Sequence, residues 1–324
     1  MMAINPIDLG PIIVSAATFF LIPTLGEIYT ERSGILNLGI EGMIIASAAG
    51  SYAVVYSVST DPVLGPFSVY VGILFGMILG GFLALIHAIV TITFNRNQVV
   101  SGIGLTILGT GLSGILGRSV IGKKVEGLEK IPLPFLSDLP IIGPIFFDHT
   151  ILVYLSYILV IFLWFILFKT KIGILIRTVG ENPSAAYNQG VNVRLIRYLC
   201  VIFGGMMCGL GGAYLSLSWL NFWTEGMTQG RGWIVIALVV VGLWNPLGAL
   251  FGAYLFGTFD VLQFTFQQVK IPVIFPNGID ATFLKMLPPV STILFLGAWT
   301  IILSRQKVKS IVGAPSALAT PFED

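Results

Sequence analysis

The 28 residues from Phe67 to Phe94 contain no Asp, Glu, Lys or Arg. About 20 consecutive apolar residues are enough to cross the hydrocarbon core of a bilayer as a helix. In lipid, only a helix or a closed barrel satisfies every backbone hydrogen-bonding group. This stretch therefore predicts a transmembrane helix, and Gly72, Gly76 and Gly80 at a spacing of four predict a face where a neighbouring helix packs closely.

Comparable apolar runs recur along the whole chain. Apolar residues make up 56% of the 324 residues and charged residues 10%, whereas soluble domains carry about 25% charged residues. We predict an all-α, polytopic integral membrane protein, a single transmembrane domain over residues 1–324 with about nine transmembrane helices (eight to ten). The predicted spans are Ile7–Leu25, Ser33–Ser57, Phe67–Phe94, Val99–Gly117, Ile151–Phe168, Tyr198–Leu220, Trp233–Leu243, Leu247–Phe266 and Met286–Leu303.

The run Trp233–Leu243 is short for a span, since it has only eleven residues before Asn245 and Pro246. A re-entrant segment at this position would change the number of crossings by one.

Basic residues orient the predicted spans, because Lys and Arg beside membrane helices are retained on the cytoplasmic side. Arg32 is the first basic residue and follows the first span, so we expect the N-terminus outside. The loop of residues 169–197 holds five basic residues and one acid, Glu181, and is predicted to be cytoplasmic. Residues 118–149 contain four prolines and are predicted to form an external loop. Arg305, Lys307 and Lys309 then place the C-terminus in the cytoplasm.

The cytoplasmic loop contains a short helix by its capping pattern. Asn182 is a favoured N-cap residue and Pro183 a favoured first helical residue. Gly190 is placed to end the helix, which is predicted from about Pro183 to Gln189. A short capped helix with Ala185 and Ala186 on it, held between two membrane spans, is typical of a docking element; the alternative is an ordinary solvated loop.

Two interrupted segments, Ser33–Gly50 and Gly230–Gly252, lie one in each half of the chain. Such pairs mark the central pathway in transporters built from internal repeats, so a weak internal repeat is one possible organisation. The alternative is simple helix packing, and the aromatic residues could equally anchor the membrane interface. The candidate pathway residues are Asn37, Glu41, Phe222, Trp233, Trp244 and Asn245.

Several enzyme-like patterns do not fit their chemistry. Gly109–Gly114 matches a dinucleotide fingerprint but lies inside an apolar run, and Gly117–Lys124 lacks the Ser or Thr of a phosphate-binding loop. Ser113 lies in a pattern similar to that of intramembrane serine proteases, which need a histidine on a later helix, yet His87 is earlier and His149 lies at a helix edge. We predict no catalytic residue in this chain, which is not expected to be an enzyme.

Metal and nucleic-acid binding are not expected either. Cys200 and Cys208 are eight residues apart on one predicted helix, which is neither a metal-ligand nor a disulfide spacing. The net charge of +2 is too small, and its basic residues too dispersed, for a nucleic-acid surface.

Four separated segments carry a resemblance to a known family. These are ERSGILNLGIEGM at Glu31–Met43, GENPSAA at Gly180–Ala186 followed by Gly190, GRGWIVIALVVVGLWNPLGALFGAYLFG at Gly230–Gly257, and GAPSAL at Gly313–Leu318. In this order they resemble permease subunits of bacterial ABC importers of the class handling branched-chain amino acids, ribose-type sugars and nucleosides, and in particular the nucleoside and simple-sugar branch.

The resemblance implies a multi-pass permease of the bacterial cytoplasmic (inner) membrane that moves a nucleoside or simple sugar, with a flavin-like vitamin also open, by alternating access. A separate ATPase subunit would bind ATP and Mg²⁺, and no cofactor would be bound by this chain. Expected partners are that ATPase, a second related permease in a homo- or heterodimer, an extracellular substrate-binding lipoprotein or periplasmic protein, and membrane lipid. The implied coupling residues are Gly180, Glu181, Asn182, Pro183, Ala185, Ala186 and Gly190.

The alternative is a stand-alone secondary transporter or channel for a small polar solute. Ion coupling would require ionisable groups inside the spans, and Glu41 and Asp260 are the acids expected there.

Overall fold

The computed structural model describes residues 6–267 and 313–322, with five isolated positions between them. Most of the described chain is helical. The helices are α1 (Pro6–Arg32), α2 (Ile40–Val58), α3 (Ser68–Ala88), α4 (Gln98–Gly117), α5 (Ile142–Phe146), α6 (Ile151–Lys169), α7 (Lys171–Glu181), α8 (Pro183–Asn188), α9 (Val193–Tyr214), α10 (Arg231–Val241) and α11 (Pro246–Gln267). Helices α3 and α9 continue into single π-helical turns, Ile89–Thr93 and Leu215–Trp219.

Within the described residues, six helical segments are long and apolar enough to cross a membrane. They confirm the prediction of a polytopic membrane protein; the described residues are mostly helical, and two short strands depart from the all-α prediction. The segments are Leu9–Arg32, Ile40–Val58, Gly65–Thr93, Gln98–Val120, Ile151–Lys169 and Val193–Trp219. The predicted span Met286–Leu303 lies outside the described residues apart from isolated positions, and the total of nine crossings stays a prediction.

The first two predicted spans have different bounds in the structure. Helix α1 continues to Arg32, although Glu27, Glu31 and Arg32 were expected to follow the membrane span. All three side chains are buried, and they lie in the helix because the left-handed backbone conformation that ends it comes only at Gly34, whose φ is +93°. Helix α2 starts only at Ile40, and residues 33–39 before it form a buried, non-helical linker.

Helices α3 and α9 meet through glycine, as the spacing of glycines in α3 predicts. A Cβ at Gly80 would lie 2.2 Å from the carbonyl oxygen of Gly205, and one at Gly209 would lie 2.1 Å from that of Gly76. Gly72 instead faces α2, where its added Cβ would lie 2.4 Å from Val55. Small residues allow such close backbone approach in membrane bundles, where helix association depends on packing.

Gly80→Ala should therefore separate α3 from α9 and lower the free energy of unfolding by about 2 kcal/mol, as overpacking typically does. Gly104→Ala in α4 is the matched control, because nothing lies within 4 Å of the added Cβ and Ala favours a helix. Thermal unfolding of both variants in detergent measures the effect. Equal midpoints would contradict the close contact.

The predicted external loop contains a small antiparallel sheet. Strand β1 (Lys130–Pro132) pairs with β2 (Asp148–Thr150), which leads directly into α6. Lys130 and Asp148 form an ion pair at 3.4 Å with both side chains largely exposed, so it contributes little to stability. The helix in this loop, α5, has only five residues, as expected for a segment with four prolines.

Candidate functional site

The short helix α8 forms as the capping pattern predicts. Oδ1 of Asn182 accepts a hydrogen bond of 2.9 Å from the backbone N–H of Ala185, and Pro183 is the first helical residue. Gly190 follows with a φ of +79°, the left-handed conformation that ends many helices. The helix ends at Asn188, one residue before the predicted end.

One side of α8 is buried and the other is exposed. Ala186 packs with Val179 and Val193 and is 1% exposed. Ser184, Ala185, Tyr187 and Asn188 are exposed. A recess of about 640 Å³ adjoins this surface and is lined by residues 187–188 and 190–194. The exposed face and recess form a surface suited to a protein partner.

Among the predicted coupling residues, Gly180 and Glu181 contact the C-terminal segment of the chain. The backbone N–H of Ala317 donates to the Gly180 carbonyl at 3.0 Å. The hydroxyl of Ser316 donates to Oε2 of Glu181 at 2.7 Å. Sequence reasoning did not predict this contact, because 135 residues separate Glu181 from Ser316.

Glu41 lies at the start of helix α10. Its carboxylate accepts hydrogen bonds from the backbone N–H groups of Gly230 at 3.0 Å and Gly232 at 2.7 Å, and from the Thr228 hydroxyl at 2.5 Å. Gly232 has no room for a side chain, since a Cβ would lie 2.6 Å from the Cα of Glu41. The carboxylate thus satisfies N–H groups that have no partner within the helix, and its charge complements the positive end of the helix dipole.

A second buried pair fixes the same end of α10. Nε of Arg231 donates to Oδ1 of Asp260 at 3.1 Å and Nη2 to Oδ2 at 3.3 Å, which makes the pair bidentate. The guanidinium carbon lies 5.6 Å from the centroid of the Trp219 ring. These contacts connect α10 to α11 and to the end of α9.

The other end of α10 meets the end of α1. Leu243 and Trp244 both have φ values above +50°, which is uncommon outside glycine. Arg32 holds this turn by donating to the carbonyls of Leu243 at 3.3 Å and Trp244 at 3.1 Å. The Trp244 ring N–H donates to Oε2 of Glu31 at 2.5 Å, and Asn245 follows and caps α11 by accepting from Leu247 N–H at 3.0 Å.

Four of the six predicted pathway residues therefore fall at two levels, separated by the eleven residues of α10, which rise about 16 Å. Glu41 and Trp233 lie at the start of α10, and Trp244 and Asn245 at its end. Asn37 is fully buried in the linker, where Oδ1 accepts from Gly39 N–H at 2.9 Å. Phe222 and Trp233 are 47% and 41% exposed, so their rings are accessible.

Sequence reasoning missed a buried polar layer contributed by α1. Glu27 accepts a hydrogen bond of 3.3 Å from the Asn37 backbone N–H, and Arg197 donates to the Ser33 carbonyl at 3.2 Å. The spacing of four between Glu27 and Glu31 was a usable signal, because it places both acids on one helix face.

The side chains considered for other chemistries have local partners. Ser113 donates to the carbonyl of Thr110, and His87 contacts Ser101 and the Leu36 carbonyl. His149 contacts the Ile145 carbonyl, and burial lowers its pKa. Both cysteines are buried free thiols. In the described ranges, no group of three or more His, Cys, Asp or Glu side chains is placed to hold a metal ion.

A bundle of long apolar helices with a broken helix in its interior and an exposed capped helix between two spans defines the class of polytopic membrane transport proteins. The family model described as the permease component of the branched-chain amino acid transport system matches residues 12–303. The chain belongs to this family of permease components.

Relatives named as ABC transporter permeases agree with this membership over most of their length. The putative glucose ABC transporter permease TsgC13 of Haloferax volcanii is 40% identical over 87% of this chain and 83% of its own. The guanosine permease NupQ of Bacillus subtilis is 37% identical over 88% and 91%, and the nucleoside permease NupC of Lactococcus lactis is 34% identical over 86% and 88%. No solved structure matches the chain. The protein is a multi-pass permease subunit of an ABC transporter in the cytoplasmic membrane.

Proposed function

We propose that this permease moves a nucleoside or a simple sugar into the cell, with nucleosides as the first choice. The observation that carries the proposal is the similarity to relatives named for guanosine, nucleosides and glucose. These solutes share a hydroxyl-rich sugar, and nucleosides add a flat base. The exposed rings of Phe222 and Trp233 suit stacking against such a flat group.

The exposed face of α8 is the proposed docking site of the ATPase, which would bind and hydrolyse ATP with Mg²⁺. Three features support this role: the small side chains of Ser184 and Ala185 on that face, the adjoining recess, and the burial of Ala186 that ties α8 to the bundle. A partner that closes on ATP can drive transport only if its contact with α8 differs in energy between the two states of the permease.

The start of α10 is the proposed centre of the transport pathway. At about 16 Å, α10 covers roughly half of a hydrocarbon core about 30 Å thick. Broken helices in transporters present such half-helix ends to polar ligands. Glu41 occupies this end through three hydrogen bonds, so a substrate hydroxyl arriving there would meet a polar site already formed.

The proposed topology has nine crossings, with the N-terminus outside and the C-terminus in the cytoplasm. Helix α11 starts beside Arg32 and runs antiparallel to α1, since Gly257 packs on Ala17. Residues 313–322 return to the Arg32 side, where Ala319 N–H donates to the Gly34 carbonyl at 3.1 Å. A single crossing between α11 and residues 313–322 would agree with this placement. The residues that would form it lie outside the described part of the chain.

Two further partners belong to the proposal. A cleft of about 660 Å³ on the loop side opposite α8 is lined in part by Glu126, Glu129 and Asn221, and an extracellular substrate-binding protein would dock over it. Helix α4 exposes Val100, Ile107 and Ile115, an apolar surface for lipid or a second permease.

Uptake in reconstituted vesicles tests the proposed function. With the ATPase, the second permease and the binding protein present, we expect the vesicles to take up labelled guanosine. This uptake should require ATP on the side of the membrane where the ATPase is bound. Glucose in a parallel assay distinguishes the sugar alternative. Uptake by this chain alone without ATP would contradict the proposal and favour a stand-alone transporter, whose candidate acids Glu41 and Asp260 are both hydrogen-bonded within the bundle.

A further inference from the structure

The last described segment, residues 313–322, crosses the surface that carries α8; we call it the C-terminal strap. Its backbone bonds two separate elements. Ala317 N–H donates to the Gly180 carbonyl at the end of α7, and Ala319 N–H donates to the Gly34 carbonyl in the linker between α1 and α2. The strap therefore joins the cytoplasmic loop to the linker.

Phe322 anchors the strap beneath α8. Its side chain is 8% exposed and packs in a small apolar cluster with Val179 and Ala186. Its ring meets that of Tyr187 edge to face with centroids 6.1 Å apart. Arg197 lies over the same ring, with the guanidinium carbon 5.8 Å from the centroid. One side chain thus contacts α7, α8 and α9 together.

The linker at the other end of the strap leads to the polar interior. Ile40, the first residue of α2, lies six positions after Gly34, and Glu41 follows directly. On this path the Asn37 N–H bonds to Glu27. Gly34 has little free space, because a Cβ there would lie 3.0 Å from Arg197 and 3.3 Å from the Ala317 carbonyl. A shift of the strap would therefore reach the linker.

We propose that the C-terminal strap transmits the movement of α8 to the linker that precedes Glu41, with Phe322 as the positioning residue. This inference rests on the proposed docking of the ATPase at α8. The strap is placed for the task because it bonds to Gly180, which touches Arg32, and to Gly34 two residues beyond it. For the strap to transmit movement, its contacts with Gly180 and with Gly34 must be most favourable in one joint arrangement of the loop and the linker.

Phe322→Ala tests the strap in the reconstituted complex. Phe322 lies under α8 and touches its exposed side only through the Tyr187 ring, so the ATPase should still co-purify and hydrolyse ATP. We expect the uptake per ATP hydrolysed to fall by about tenfold, the size of a typical coupling between sites. Phe322→Tyr should restore it, because the ring contacts with Tyr187 and Arg197 remain. Ala314→Ser, at an exposed strap residue, is the control.

Two results would overturn the inference. Unchanged uptake per ATP in Phe322→Ala would show that the strap transmits nothing. If the variant loses both the bound ATPase and its uptake, Phe322 only supports the shape of the docking site. Failure of the wild-type complex to show ATP-driven uptake would instead refute the proposed function, so the two failures are distinguishable.

Discussion

Ala185→Glu should lower ATP-driven uptake by at least about tenfold while the permease stays folded. Ala185 lies in the first turn of α8, where its N–H bonds to Asn182 and its side chain is exposed. An acid is favourable near the start of a helix, so α8 should form as before. In a docked complex the same carboxylate would be buried against the ATPase without a partner, which costs several kcal/mol. We expect co-purification of the ATPase and uptake to fall by at least about tenfold.

Thr60→Glu provides the matched control. Thr60 is exposed in the turn between α2 and α3, at the end of the bundle opposite α8, so it adds the same charge far from the proposed docking face. Both variants should elute from size-exclusion chromatography as wild type does. If Ala185→Glu retains normal ATPase binding and uptake, α8 is not the docking element.

Local sequence patterns predicted the parts of this fold that depend on neighbouring residues. The cap of Asn182 on α8 and the glycine face of α3 are both confirmed by contacts in the structure. Each follows from short-range rules, because a cap joins residues three apart and a glycine face repeats every helical turn. The eleven-residue helix at 231–241 also has the short length that its sequence suggests.

Contacts between distant residues could not be predicted from one sequence. The hydrogen bond from Gly232 to Glu41 joins residues 191 positions apart, and that from Arg32 to Trp244 joins residues 212 apart. Glu41 was singled out as an acid inside a predicted span, but its partners were not identified. The cost of burying an acid indicates that partners exist and does not say which residues they are. The extension of α1 to Arg32 was missed because charge was taken as the end of the span, whereas Glu27, Glu31 and Arg32 are buried and hydrogen-bonded inside the bundle.

The two levels of polar residues suggest how α10 can respond to movement at the side of the bundle that carries α8. Arg32 and Glu31 hold the turn at Leu243 and Trp244, and Glu41 holds the opposite end of the same helix. Both attachments belong to the segment from α1 to α2 that the C-terminal strap contacts. A rigid eleven-residue helix fixed at both ends moves as a unit, so a shift of the linker would reposition the start of α10.

Glu41→Ala should remove the acceptor that holds the start of α10. The N–H groups of Gly230 and Gly232 and the hydroxyl of Thr228 would lose their bonds in a buried site. Each unsatisfied group costs about 1–3 kcal/mol, so the unfolding temperature in detergent should drop and uptake should be lost. Glu41→Gln has almost the same shape, but its NH₂ group would face N–H donors; we expect a folded protein that binds the ATPase and transports at least about tenfold less.

Glu225→Gln separates the role of the Glu41 carboxylate from a general effect of lost charge. Glu225 is exposed in the same segment before α10, so removing its charge breaks no contact with the helix start. This variant should transport as wild type does, with an unchanged unfolding temperature. Wild-type uptake by Glu41→Gln would contradict a place for Glu41 in the pathway. Loss of ATPase binding in that variant would point instead to a general disturbance of the bundle, since the docking face lies at the far side of the linker from Glu41.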